Sequence, residues 1–199
     1  MSLVLVDSGG ANLGSVQYAL QRLGIDAPLV STAAEIEAAE RVILPGVGAA
    51  GPAMARLREL DLVGTIRGLR TPLLGVCVGM QILFEASEEG GVDCLGLLPG
   101  RVRRLPQAPG VRVPHMGWNR VQPHADSALL AGIDAGAWAY YVHSFAAPVT
   151  ADCIAASVHG EPFAAVVARG NVAGAQFHPE RSAAVGARLL QNFMTWRPE

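Results

Sequence analysis

Three short runs, LVLV at 3–6, VIL at 42–44 and LLGV at 73–76, carry no charge, and each leads into a glycine-bearing turn and then a helical pattern. A strand buried on both faces reads as a continuous apolar run, and alternation of such strands with helices argues for a doubly wound parallel sheet. After the first run, Leu13, Val16, Leu20 and Leu23 form one helical stripe, with Gly24 as its stop. A second strand is expected at 27–30, followed by a short helix through Ala39 capped by Ser31 or Thr32. Pro52 suits the first turn of a helix near 52–60, a further helical piece reaches about Leu69, and another helix follows Cys77 to about Ser87. From about Leu98 the texture changes to short strands separated by turn residues, at 100–105, 117–121, 138–142, 153–157 and 164–168. These predict antiparallel pairs. A last helix over 182–196 turns Val185, Leu189 and Phe193 toward the sheet. No linker or shift of composition divides the chain, so 1–199 reads as one domain.

Of the 199 residues, 51% are hydrophobic and 16% charged, which excludes a disordered chain. A net charge of −2 gives no general affinity for nucleic acid. Arg101, Arg103 and Arg104 are the one basic cluster, read as a solvated strand end. The three cysteines, Cys77, Cys94 and Cys153, make a poor disulfide framework and suit a reducing compartment. No apolar run reaches membrane-span length, so no membrane partner is expected and the protein is placed in the cytoplasm.

Gly46, Gly48 and Gly51 spell G-x-G-x-x-G after the third apolar run, where a dinucleotide loop would lie. That reading needs an acidic residue at the end of the next strand to hold a ribose. Cys77 stands there, and no Asp or Glu occurs between Leu62 and Phe84. Pro45 is also expected to break the strand before the first glycine. A phosphate loop fails for want of Gly-Lys-Ser/Thr, so no cofactor is expected.

The cysteine suggests another chemistry. Gly75-Val76-Cys77-Val78-Gly79 is a nucleophile elbow with sulfur in place of oxygen. Its glycines allow a sharp strand-to-helix turn, and the following helix N-terminus favours thiolate. The Val78 N–H would face an oxyanion formed by attack at Cys77. Pro45-Gly46-Val47-Gly48, at the end of a preceding strand, offers a second source of backbone donors, so Val47 and Gly48 join Val78 as oxyanion candidates. A base is supplied by His178 in QFHPE at 176–180. Pro179 biases His178 toward extended backbone, and residues two apart then share a face, bringing Glu180 to the imidazole. The set is the Cys-His-acid arrangement of acyl transfer. The other histidines have no metal-ligand spacing with each other or with cysteine, and no metal is expected.

Together these segments resemble the class I (triad) glutamine amidotransferases. PGVG at 45–48, GVCVGMQ at 75–81, PHMGWN at 114–119, YYVHSF at 140–145 and QFHPERS at 176–182 are similar to the branch formed by the glutaminase subunits of imidazole glycerol phosphate synthases, as is DSGGANLGSV at 7–16. The resemblance runs the length of the chain. It implies a flavodoxin-like doubly wound α/β fold, its sheet mostly parallel with antiparallel strands added in the C-terminal half. It implies Cys77 as nucleophile, His178 as general base and acid, and Glu180 as the orienting carboxylate. Gln81 would help to bind glutamine, and His143, Ser144 and Phe145 would line the same pocket. It further implies a heterodimer with a (βα)8-barrel cyclase subunit that receives the ammonia, with Asn12, Met116, Trp118 and Asn119 at or near that interface. Ser8-Gly9-Gly10, Val78, Ala175 and Arg181 depart from the common pattern without removing a triad group. Amidotransferases feeding anthranilate, aminodeoxychorismate, GMP, CTP or pyridoxal phosphate synthesis fit PHMGWN and YYVHSF less well.

Overall fold

A computed structural model describes residues 2–9 and 13–198. Asn12, and Gly10 and Ala11 of the N-terminal motif, lie outside the described residues. The first half alternates β1 (Leu3–Val6), α1 (Leu13–Arg22), β2 (Leu29–Val30), α2 (Ala33–Glu37), β3 (Arg41–Gly46), α3 (Ala50–Glu59), α4 (Val63–Gly68), β4 (Leu73–Cys77) and α5 (Val78–Gln81). Short strands β5 (Ala86–Ser87), β6 (Val92–Asp93) and β7 (Arg101–Arg104) follow, and then β8 (His115–Pro123), β9 (Ala137–His143), β10 (Phe145–Ala146), β11 (Cys153–His159), β12 (Glu161–Arg169), β13 (Val172–Ala175) and α6 (Ala183–Thr195).

The main sheet has nine strands in the order β2-β1-β3-β4-β13-β12-β11-β8-β9, and β10-β7-β5-β6 form a second sheet. Strands β2, β1, β3, β4 and β13 are mutually parallel, which is the flavodoxin-like order with β13 as fifth strand. From β13 outward every pairing in the main sheet is antiparallel. Burial follows this division. Strands β1, β3, β4 and β13 are buried at every residue, whereas β8 alternates, because one of its faces meets solvent. Leu5, Ile43, Leu44 and Leu74 are wholly inaccessible, and burying side chains of this size contributes about 1.5–3 kcal/mol each.

Four details differ from the sequence reading. Strand β3 does not stop at Pro45; its register with β4 continues through Pro45↔Val76 to Gly46↔Cys77. Val42 N–H donates toward the β4 side and Arg41 N–H toward the β1 side, so the proline's missing donor falls on the β1 side. There the ladder has already ended at Leu5↔Ile43, and no bond is lost. Second, the helix after Cys77 is four residues long rather than extending to Ser87. The carbonyls of Ile82, Leu83 and Phe84 accept from the N–H groups of Leu95 to Leu98, so they are unavailable to a helix, and Ala86–Ser87 becomes strand. Third, α3 begins at Ala50, two residues before Pro52, with Ala49 as its cap. Fourth, β13 was not foreseen. Val-Ala-Gly-Ala carries little strand propensity of its own, yet between β4 and β12 small residues are what fit: a Cβ on Gly174 would come within 2.6 Å of Met80 Cγ. The N-cap at Thr32 is present as a full capping box with Glu35.

Candidate active site

The topology gathers the candidate residues at one edge of the sheet. Strands β3, β4 and β13 are neighbours, and Gly46↔Cys77 and Val76↔Ala175 are in register. The segments leaving their carboxyl ends, 47–48, 77–81 and 176–180, therefore share one rim. They line a cavity of about 340 Å³ bordered by Val47, Gly48, Cys77, Val78, Gln81, Glu89, His143, Ser144, Phe145, His178 and Arg181. Every residue expected to act on or bind substrate reaches this cavity except Glu180, which stands behind His178.

Cys77 occupies φ 54°, ψ −114°, a region costly for a side-chain-bearing residue, of order 1–3 kcal/mol. It is held there by β3 and β13 pairing on both sides of β4. The turn demands near-contact of backbones: a Cβ on Gly79 would lie 1.9 Å from Leu44 O, and one on Gly46 would lie 2.1 Å from Gly79 N. With only four residues in α5, the local N–H groups of Val78 and Gly79, rather than a long helix dipole, are what the elbow offers an anion. Val47 is half-buried, and Gly48 is exposed at φ 88°.

His178 Nδ1 lies 2.9 Å from Glu180 Oε1, leaving Nε2 for the sulfur. Burial alone would lower the His178 pKa. The hydrogen bond to Cys77 and then the Glu180 carboxylate outweigh it and hold the imidazolium up to about 10. The route to this pair differs from the one expected. His178 is extended, but residues Pro179–Arg181 form a 3-10 turn, so Glu180 reaches the imidazole from a first helical turn and not from an extended strand. The turn is anchored to β9: His178 N–H donates to Tyr140 O, and Ser182 Oγ donates to His178 O while accepting from Tyr140 N–H.

Gln81 is buried and spends both amide protons internally, on Phe145 O at 2.7 Å and Gln176 Oε1 at 3.0 Å. Its Oε1 is thereby left for the cavity it lines. Two residues went unnoticed in the sequence. Gln176 Nε2 lies 3.9 Å from Cys77 Sγ, and Glu89 brings the one carboxylate among the described residues of the cavity wall, accepting from Ala50 N–H at 3.0 Å. Gln176 was in view inside the QFHPE motif; Glu89 sits in Glu88-Glu89-Gly90-Gly91, which reads as an ordinary solvated turn. Outside the cavity, Met116 and Trp118 are 65% and 51% exposed on one face of β8, whereas Asn119 lies on the other. Trp118 packs edge-on against Tyr140, and the Arg181 guanidinium lies 4.2 Å from the Tyr140 ring centroid. The departure at Ser8 is a structural tie, its hydroxyl donating to Pro45 O between the ends of β1 and β3. Among the described residues no group of three or more His, Cys, Asp or Glu side chains is arranged to hold a metal ion, and no helix is long and apolar enough to cross a membrane.

A parallel sheet with a left-handed Cys elbow and a His-carboxylate pair on the adjoining strand ends defines an acyl-transfer enzyme of the triad type. The model of the class-I glutamine amidotransferases matches residues 4–196, and the chain belongs to that family. Within it, the chain is 62% identical to the imidazole glycerol phosphate synthase subunit HisH of Xanthomonas axonopodis pv. citri (strain 306), over 96% of each chain. It is 60% identical over the same shares to the HisH subunit of Xylella fastidiosa (strain Temecula1). The fold is also that of a glutamine amidotransferase of known crystal structure, with a TM-score of 0.76, 20% identity and 98% of each chain covered.

Proposed function

We propose that this chain is the glutaminase subunit of an imidazole glycerol phosphate synthase, a single amidotransferase unit over 1–199 working in the cytoplasm in histidine biosynthesis. The observation that carries the chemistry is the register that sets Cys77, at its left-handed elbow, beside the strand end bearing His178 and Glu180. The Cys77 thiolate attacks the side-chain amide carbon of glutamine, and the electron pair moves to the carbonyl oxygen. Val78 N–H and the Val47-Gly48 backbone stabilise that oxyanion. His178 gives its Nε2 proton to the leaving nitrogen as the C–N bond breaks, which releases ammonia and leaves a thioester. His178 then takes a proton from water, whose oxygen attacks the thioester, and glutamate departs as the thiolate reforms. Glu180 holds the imidazole in the orientation both steps need. Gln81 Oε1 and the 143–145 backbone bind the substrate's polar ends, and Glu89 is placed to receive its ammonium group.

The ammonia passes to a (βα)8-barrel cyclase subunit, which completes imidazole glycerol phosphate and aminoimidazole carboxamide ribotide. The exposed Met116 and Trp118 form the docking face; Asn119, expected there with them, instead turns its side chain to the opposite face of β8, and Asn12 lies outside the described residues. Cys77→Ala tests the reading. Glutamine-dependent synthesis by the complex should vanish, while synthesis from added ammonium salts persists. Glutamine turnover by that variant at more than a hundredth of the parental rate, a loss of less than about 2.7 kcal/mol of transition-state stabilisation, would refute the assignment.

A further inference from the structure

Behind the cavity wall, polar groups form a chain that neither the triad nor the oxyanion donors use. His115 and His143 face each other directly across β8 and β9, with His115 Nδ1 3.0 Å from His143 Nε2. Both are buried, at 4% and 6% exposure. His143 Nδ1 lies 2.8 Å from Phe145 O, the carbonyl that also accepts from Gln81 Nε2. At the other end, Asn119 Nδ2 lies 3.3 Å from His115 Nε2 and 2.9 Å from Val158 O. In a regular strand, residues four apart are separated by about 13 Å. Gly117, between them on the same face, stands at φ 129° and puts no side chain in the way, so the Asn119 side chain reaches back to His115.

The direction of every bond is fixed by its ends. Phe145 O only accepts, so His143 must carry its proton on Nδ1, and its Nε2 must accept. His115 then donates from Nδ1, and its Nε2 must accept as well. Asn119 supplies that donor, because its Oδ1 is engaged by Arg120 N–H at 2.8 Å and its Nδ2 by Val158 O. Proton on Nδ1 in both rings and positive charge on neither is the one assignment without opposed donors. His115 is clamped in this pose between the stacked rings of His159, 4.1 Å away, and Tyr141, 4.9 Å away, with Phe163 edge-on. Burial in this setting pushes His115 down to about 4, with His159 adding to the effect, and burial pushes His143 down to about 3 against the opposing bond to Phe145 O.

We propose that Asn119 and His115 are positioning residues for glutamine binding. Through His143 they hold the Phe145 carbonyl that turns the Gln81 amide, so that its oxygen faces the cavity. Neither touches substrate. The role rests on the cavity being the glutamine site, and the test separates the two ideas.

Long-range 1H–15N correlation spectra of histidine-labelled protein read the tautomers without any turnover. His115 and His143 should both be neutral at pH 7 with the proton on Nδ1. An Nε2–H tautomer or an imidazolium at either position overturns the proposal. Asn119→Asp then removes the donor and substitutes an acceptor, which forces a proton onto His115 Nε2; Asn119→Ala removes the donor alone. At saturating cyclase subunit, both variants should raise KM for glutamine about tenfold, the scale of one lost hydrogen bond that leaves the buried His115 Nε2 without its donor, with kcat within about threefold because the triad is untouched. A changed tautomer with unchanged KM, or a fall confined to kcat, would overturn the positioning role. Equal melting temperatures of variant and parent show that the KM change is not loss of fold. Failure of the glutamine reading would look different: the parent complex itself would release no ammonia from glutamine, whatever its tautomers.

Discussion

Replacing the three glycines of G46-x-G-x-x-G51 by alanine one at a time should give three different results, because the structure uses each for a different purpose. A Cβ on Gly46 would sit 2.1 Å from Gly79 N and 2.7 Å from Val78 C, both backbone atoms. Ordinary contact begins at 3.4 Å, so the elbow and the end of β3 must part by 3.4 − 2.1 = 1.3 Å. Strand β3 is held between β1 and β4 and cannot slide away. Overpacking of this kind costs about 1–3 kcal/mol, which for a chain of this size lowers the melting temperature by about 2–12 °C. The same displacement moves Val47 and Gly48 relative to Cys77, and misplacement near 1 Å costs about 100-fold in rate. Gly48 has open space around it but stands at φ 88°; alanine there should cost about 1–2 kcal/mol in backbone strain. Gly51 lies inside α3 with φ of the ordinary sign and nothing within 4 Å of a new Cβ. Its replacement should stabilise by about 0.4–1 kcal/mol. Calorimetry on the three variants, with kcat/KM for glutamine at saturating cyclase subunit, measures all of this. The packing argument is refuted if Gly46→Ala melts within about 1 °C of the parent and keeps parental kcat/KM. A Gly51→Ala variant as unstable as Gly46→Ala would refute it equally.

Glu180→Gln keeps the shape of the pair but removes the charge. By the precedent of triads whose carboxylate is neutralised, kcat should fall about 10⁴-fold, and NMR titration should find the His178 pKa lower in the variant than in the parent, where Cys77 and Glu180 raise it. Glu89→Gln should raise KM for glutamine by about tenfold with kcat retained, the loss of one charge-assisted bond, as steady-state kinetics will show. Stability should depend on pH at both ends. His178 holds its proton more tightly folded than unfolded, so its contribution is complete below about 6.5 and is lost as pH rises toward about 10. His115 and His143, pushed down to about 4 and about 3, take up protons only when unfolded as pH falls below about 6.5, so stability declines on acidification toward those values. Melting curves across pH should show a shallower acid limb in His115→Gln than in the parent.

The parallel half of this fold was legible because its strands are buried on both faces and so read as unbroken apolar runs. Strand β13 was not, since alanine and glycine are chosen there for the space between β4 and β12 and give no pattern of their own. Helix α5 is shorter than its sequence pattern for the complementary reason. Ile82 to Phe84 continue an apolar stretch, and only the distant loop carrying Leu95 to Leu98 claims their carbonyls. Cys77 and His178-Glu180 could be found because each lies in a local sequence whose geometry is determined within a few residues. Glu89 acquires meaning only when the turn between β5 and β6 meets Ala50 at the start of α3, and Gln176 and the His115–His143 pair only when β8 pairs with β9 and β4 with β13, information that no window of sequence contains.

That last pairing has a bearing on how the protein comes into being. Val172 pairs with Leu73, a separation of 172 − 73 = 99 residues, and long-range parallel pairing is a late and slow event in folding. On the proposed assignment the nucleophile Cys77 is thus made about a hundred residues before its base, because His178 follows the fifth parallel strand, Val172–Ala175. On that assignment a half-made or half-folded chain carries Cys77 without His178 and should not hydrolyse glutamine. Modification of Cys77 by a glutamine-mimicking electrophile, sampled through refolding, becomes a clock for the docking of β13, with the thiol silent until the sheet has closed around it.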